Sequence, residues 1–134
     1  MQPAGYNAYQ RIQTQTSSPG QLVVMLYNAL ANDLQRAATA LTDGGEERAH
    51  GSLVRAQDIV MELMASLDKT QGEELATQLA DLYQYIYNRL VEANVKKDAA
   101  IVREVASLVA PLREAWVKVV SENSAGGPLA QAAG

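Results

Sequence analysis

Asp81-Leu82-Tyr83-Gln84-Tyr85-Ile86-Tyr87-Asn88-Arg89-Leu90 decides the reading of this chain. Leu75, Leu79, Leu82, Ile86, Leu90 and Ala93 recur through it every three or four residues, the repeat of one face of an α-helix. That row alone is enough to seat the helix in a small bundle. Tyr83 and Tyr87 stand one turn apart on its flank and form a second amphipathic row with Ala80 and Val91. A helix that only packs into a bundle turns a charged face to water. The expectation is therefore a helix with a ringed, aliphatic outer flank left over for a partner.

The segments on either side repeat the helical period. Upstream, Ser18 caps, Pro19 fits the first helical position, and Gln21 completes a Ser-x-x-Gln capping box. This helix runs to about Thr42, with Leu22, Met25 or Leu26, Ala29 or Leu30, Leu34, Ala37 and Leu41 inward. Asp43-Gly44-Gly45 suits a left-handed stop. The next helix covers about Glu46 to Leu67, with Ala49, Leu53, Ala56, Val60, Leu63 and Leu67 as a bundle seam. Val54 and Met61 fall on its far side, with Met64 between the faces. Methionine adapts to irregular partners, so this stripe points mildly to peptide binding.

The central helix begins near Glu73, behind a Thr70-x-x-Glu73 box, and ends near Asn94. Asp98 then caps a last helix from about Ala99 to Ser121. Its expected inward row is Ile101, Val105, Leu108, Leu112, Ala115 and Val119. A second row, Val102, Val109, Trp116 and Val120, lies about 100° around. Pro111 removes the bond to the Ser107 carbonyl, yet the period continues in phase across it. One bent helix is expected there, not two.

Four helices of about 20–23 residues joined by short loops predict an all-α, antiparallel up-down-up-down four-helix bundle over residues 18–121. Residues 1–17 form a short N-terminal arm. Its apolar anchors Tyr6, Tyr9 and Ile12 could share one side of a short helix that needs the body to hold it. Residues 122–134 have no stripe to bury and are expected to be a disordered tail.

Composition removes most function classes. A chain of 134 residues supports one domain with a real core. Cysteine is absent, so no disulfide or thiolate site is available, and His50 is the single histidine. Glu47-x-x-His50 is the one match to the metal pattern of helical bundles, and it has no second copy. A net charge of −4 argues against nucleic acid. No apolar run reaches the roughly 18–20 residues of a membrane span, and the N-terminus lacks a signal-peptide pattern. Neither a nucleophile elbow nor a Walker lysine is present. Glu73 and Glu74 point apart and favour a helix N-terminus. The expectation is a soluble, cytoplasmic protein that is no enzyme and carries no cofactor. What remains is surplus apolar surface on Val54, Met61, Tyr83, Tyr87, Val102, Val109 and Trp116. Contiguous apolar patches mark binding sites, and a bundle meets an amphipathic segment between its helices.

The residues also resemble a known family. Ser18-Pro19-Gly20-x-Leu22 with Met25-Leu26-Tyr27 opens the match, followed by Arg55-Ala56-Gln57-Asp58-Ile59-Val60-x-Glu62-Leu63 and Ser66-Leu67-Asp68. Gly72-Glu73, Leu82-Tyr83-x-Tyr85-Ile86, Leu90-x-x-Ala93-Asn94 and Leu112-Arg113-x-Ala115-Trp116 complete it. In this order and spacing they resemble the flagellar secretion chaperones of the FliS type, over about Tyr6 to Val119. The resemblance implies a cytoplasmic bundle that binds the C-terminal segment of flagellin. It further implies that binding prevents premature filament assembly and aids delivery to the export gate. In such proteins the N-terminal tyrosines cover apolar surface until flagellin displaces them, a role that would fall here to Tyr6, Tyr9 and Ile12. The candidate partner-binding residues are thus Tyr6, Tyr9, Ile12, Val54, Gln57, Met61, Met64, Tyr83, Tyr87, Val91, Val102, Val109 and Trp116. Two other occupants stay open: a second copy of the chain, forming an unliganded homodimer or structural bundle, and another secreted protein.

Overall fold

A computed structural model of the chain describes residues 18–67 and 72–125. The arm with Tyr6, Tyr9 and Ile12, the turn with Thr70, and residues 126–134 lie outside the described residues, while residues 122–125, expected in a disordered tail, are helical. Four helices account for the fold: α1 Pro19–Thr42, α2 Glu46–Ala65, α3 Glu73–Lys96 and α4 Ala99–Ala125. No strand occurs among the described residues. Helix α1 packs on α2 and α4, and α3 packs on the same two neighbours. The helices therefore stand at the corners of a square in chain order, as short antiparallel connections require.

Local chemistry sets the helix ends. Ser18 Oγ accepts from the Gln21 amide at 3.1 Å, the expected cap. At the far end of α1, Gly44 sits at φ 80°. The Gly45 amide donates to the Ala40 carbonyl at 2.7 Å, and Gly44 donates to Leu41 at 3.4 Å, a Schellman stop. Asp98 caps α4 through its Oδ1, which accepts from the Ala100 amide at 2.9 Å. Helices α2 and α3 start differently. Their caps are Gly45 and Gly72, with no side-chain bond, and paired glutamates in each first turn face the positive end of the dipole.

Lys97 closes α3 at φ 53°, in a left-handed conformation that costs a non-glycine residue free energy. Lys97→Gly should raise stability by about 0.5–1 kcal/mol, read as an upward shift in a thermal melt. An unchanged or lowered midpoint would mean that the Lys97 ammonium bond to Asn94 Oδ1 outweighs the backbone strain.

The core follows a heptad spacing in every helix. On α3 it is Ala76, Leu79, Tyr83, Ile86, Leu90 and Ala93. Tyr83 is only 1% exposed, so the expectation that it lies on the outer flank is corrected. Leu75, expected inside, is 48% exposed. On α2 the expected row is buried in full, joined by Ile59 and Ser52. On α4 the seam is Val102, Val105 and Val109, with Leu112 and Trp116 partly buried behind them. Val102 and Val109 are therefore core residues, not surface ones, while Val119 faces outward. The inward face of α4 thus combines Ile101 and Val105 of the row expected inward with Val102 and Val109 of the row expected to be second. Helix α4 runs unbroken through Pro111.

Tyr83 can be buried because its hydroxyl is partnered. Tyr27 and Tyr83 reach across the diagonal between α1 and α3, with hydroxyl oxygens 2.6 Å apart and ring centroids at 6.5 Å. Burial pushes the pKa of both phenols up, so the pair stays protonated.

Candidate partner-binding surface

Each seam of the square carries a different chemistry. Helices α3 and α4 are joined by charge. Glu104 accepts from Arg89 and from the Tyr85 hydroxyl, the latter at 2.7 Å. Arg89 also reaches Glu92 at 2.6 Å, and Lys96 meets the other Glu92 oxygen at 2.6 Å. Arg89 first, then Tyr85, holds the Glu104 carboxyl below the usual carboxylate range. A depressed carboxyl stabilises the fold above its unfolded pKa, and that gain is lost as pH falls through the folded value. Glu104→Gln should therefore lose less stability than the parent between about pH 5 and about pH 3, read from denaturant midpoints. Equal losses would mean that the ladder contributes nothing.

The seam between α1 and α4 is lined by alanines together with polar and charged side chains, among them Asn32, Gln35, Arg103 and Glu114. Ala31 and Ala38 face Ala106 and Ala110 around a groove of about 730 Å³. Val102 and Val109 underlie it but expose 0% and 1%, so they offer a partner no contact area. Arg113 closes one end with a bond to Asn28 Oδ1. Toward the start of α1, a Cβ on Gly20 would meet Val120 at 3.1 Å and Trp116 at 3.9 Å. Gly20 thus lets the end of α4 lie close, and Trp116 packs half-buried beside it.

The seam between α2 and α3 is the apolar one. His50 Nδ1 and Asn94 Nδ2 are 2.9 Å apart and fix its antiparallel register. Counting from that pair sets Val54 level with Leu90 and Val91, Gln57 with Tyr87, Met61 with Tyr83 and Gln84, and Met64 with Ala80. Met61 and Val91 are exposed at 52% and 38%, while Val54, Gln57, Met64, Ala80 and Tyr87 are half-buried. No charged side chain interrupts the stripe between His50 and Met64 on the α3-facing side of α2. The candidate residues on α2 and α3 thus converge on one line, with Tyr83 removed beneath it. Among the described residues no group of three or more His, Asp or Glu could hold a metal, and no helix is long and apolar enough to cross a membrane.

A family model described as Flagellar protein FliS matches residues 2–123 of the chain. The chain belongs to the FliS family. Relatives of the same name support this along most of their length. The Flagellar secretion chaperone FliS of Bacillus subtilis (strain 168) is 36% identical over 115 residues, 86% of this chain and 85% of that one. The protein of the same name from Salmonella typhimurium is 34% identical over 121 residues, 87% of this chain and 90% of its own. That of Escherichia coli (strain K12) is 33% identical, over 84% of this chain and 86% of its own. This member of the family thus presents one charged seam, one lined by alanines and polar side chains, and one apolar seam, besides the seam between α1 and α2.

Proposed function

We propose that this FliS chain is a cytoplasmic export chaperone whose α2–α3 stripe takes the C-terminal segment of flagellin. Binding there keeps the segment from premature polymerisation and presents it to the flagellar export apparatus, with an export-gate component as a later partner. The observation that supports the site is the uninterrupted line of Val54, Gln57, Met61, Met64, Ala80, Tyr87 and Val91 in a bundle whose other faces carry charge or small residues. Methionines and a half-buried tyrosine suit an amphipathic segment that folds as it docks.

The arm competes for the same stripe in this reading. It leaves the body at Ser18, the end of the bundle that also carries the close of α2 and the start of α3. Seventeen residues can span more than about 50 Å when extended, enough to bring Tyr6, Tyr9 and Ile12 onto Met61 and Met64.

Calorimetric titration with roughly the last 50 residues of flagellin from the same cell tests this proposal. One-to-one binding with a large negative heat-capacity change is expected, because apolar burial is coupled to folding. Absence of heat together with absence of comigration on a sizing column would remove flagellin as the partner. Mass that rises with concentration in the ligand-free protein would instead assign the stripe to a second copy.

A further inference from the structure

The α1–α2 seam carries a feature that none of the above uses. A groove of about 620 Å³ runs between these helices, and Arg36, Arg48 and Arg55 stand around it. Three arginines converge here in a chain of net charge −4. Asp33 and Arg55 are paired at 3.3 Å, and this fixes the register: Arg36 lies level with Ser52, midway between Arg48 and Arg55. Arg48 and Arg55 are seven residues apart, hence on one side of α2 and about 10 Å apart along its axis.

The groove is built from within. The Asp33 side chain is buried and holds Arg55 through Nε, and Ser52 Oγ accepts from Arg55 Nη2 at 3.2 Å. The remaining terminal nitrogen, Nη1, looks at Gly51, where an added Cβ would stand 3.7 Å from it. That distance is ordinary contact, so packing does not demand glycine at this mid-helix position. Yet glycine there weakens a helix relative to alanine. Its effect is to leave the floor of the groove open beside the Arg55 guanidinium, in the groove that Arg36 and Arg48 also line. Arg36 is 67% exposed and 3.7 Å from Asp33, a loose pairing that leaves its fork available.

We infer that this groove docks an acidic protein segment, whose carboxylates Arg36, Arg48 and Arg55 receive. Guanidinium forks match carboxylates in paired geometry. The positive stretch is short, and Asp58 and Glu62 bound it further along α2, so a long polyanion would meet repulsion beyond it. The groove lies on the flank of α2 opposite the Val54–Met61 stripe and could be filled while that stripe is occupied. It stands independently of the flagellin reading.

The test is amide nuclear magnetic resonance of the full chain at low salt, with a peptide of about 12 alternating Glu and Ser residues as probe. Its Gln–Ser counterpart, inorganic phosphate and a single-stranded oligonucleotide serve as comparisons. Saturable shifts at Thr39, Gly51 and Ser52 with the acidic peptide are expected. Arg36→Gln with Arg48→Gln should weaken binding at least about fivefold. Gly51→Gln keeps every arginine but fills the floor, and it should weaken binding as well. Equal shifts with the Gln–Ser peptide, or unchanged affinity in either variant, would overturn the inference. Equal or tighter binding of phosphate or the oligonucleotide at the same residues would replace the acidic segment with another anion and likewise overturn it.

Discussion

Tyr83→Ala is expected to cost about 3–5 kcal/mol of folding free energy, the range for deleting a large ring from a packed core. Tyr83 is buried in the core at 1% exposure, against Tyr27 of α1, so its removal opens a cavity and leaves the Tyr27 hydroxyl without its partner. Against a total stability of about 5–15 kcal/mol, such a loss brings the bundle close to unfolding. The two contributions separate in a double-mutant cycle. Tyr27→Phe and Tyr83→Phe each leave one buried hydroxyl unsatisfied and should cost about 1–3 kcal/mol. The double phenylalanine variant removes both polar groups and should cost clearly less than the sum. Strict additivity in urea unfolding would show that the 2.6 Å contact carries no coupling. The same pair predicts alkaline unfolding. Burial raises both phenol pKa values above the ordinary 10.0, so the unfolded chain releases protons that the folded one retains. Stability therefore falls as pH climbs past that ordinary value.

Met61→Glu combined with Val91→Glu should do the opposite: large loss of binding, small loss of stability. Both side chains are well exposed, so the bundle should keep its stability to within about 1 kcal/mol. In the proposed complex both are desolvated against an apolar segment, and two unpaired carboxylates would have to be buried with it. A loss of at least about thirtyfold in affinity for the flagellin segment is expected, the level of a binding hot spot. Unchanged affinity with a folded bundle would move the segment off this stripe.

The contrast between these predictions marks how much the sequence discloses. Helix positions, caps at Ser18 and Asp98, and the left-handed stop at Gly44 were legible because each rests on a local motif. The α2 row was legible because one continuous row, from Ala49 through Leu63, carries the three-four alternation, and Val54 and Met61 fall clearly on another side. On α3 and α4 two adjacent rows compete, and local period cannot choose between them. Weighting by size favours Leu75 and Leu82, whereas the strict three-four alternation selects Ala76 and Tyr83. The burial of Tyr83 turns on a hydroxyl 56 residues away, a tertiary fact invisible to local period. On α4 both rows contribute, Ile101 and Val105 from the first and Val102 and Val109 from the second, and toward its end Trp116 and Val120 of the second row approach Gly20. The surface placement of Val54, Gln57, Met61, Met64, Tyr87 and Val91 was legible one by one, that of Tyr83 was not, and their alignment needed the His50–Asn94 register. The arginine groove had no signature in chain order, because Arg36 joins Arg48 and Arg55 only across helices.

The central claim is that the stripe between α2 and α3 receives the flagellin segment, and side-chain methyl resonances test it most directly. With methyl-labelled Met and Val, addition of the flagellin C-terminal segment should shift Val54, Met61, Met64 and Val91 together, in one saturable process. Val102 and Val109, buried on the other side of the bundle, should move far less. Shifts confined to α1 and α4, with Met61 and Val91 unmoved at saturation, would contradict the account.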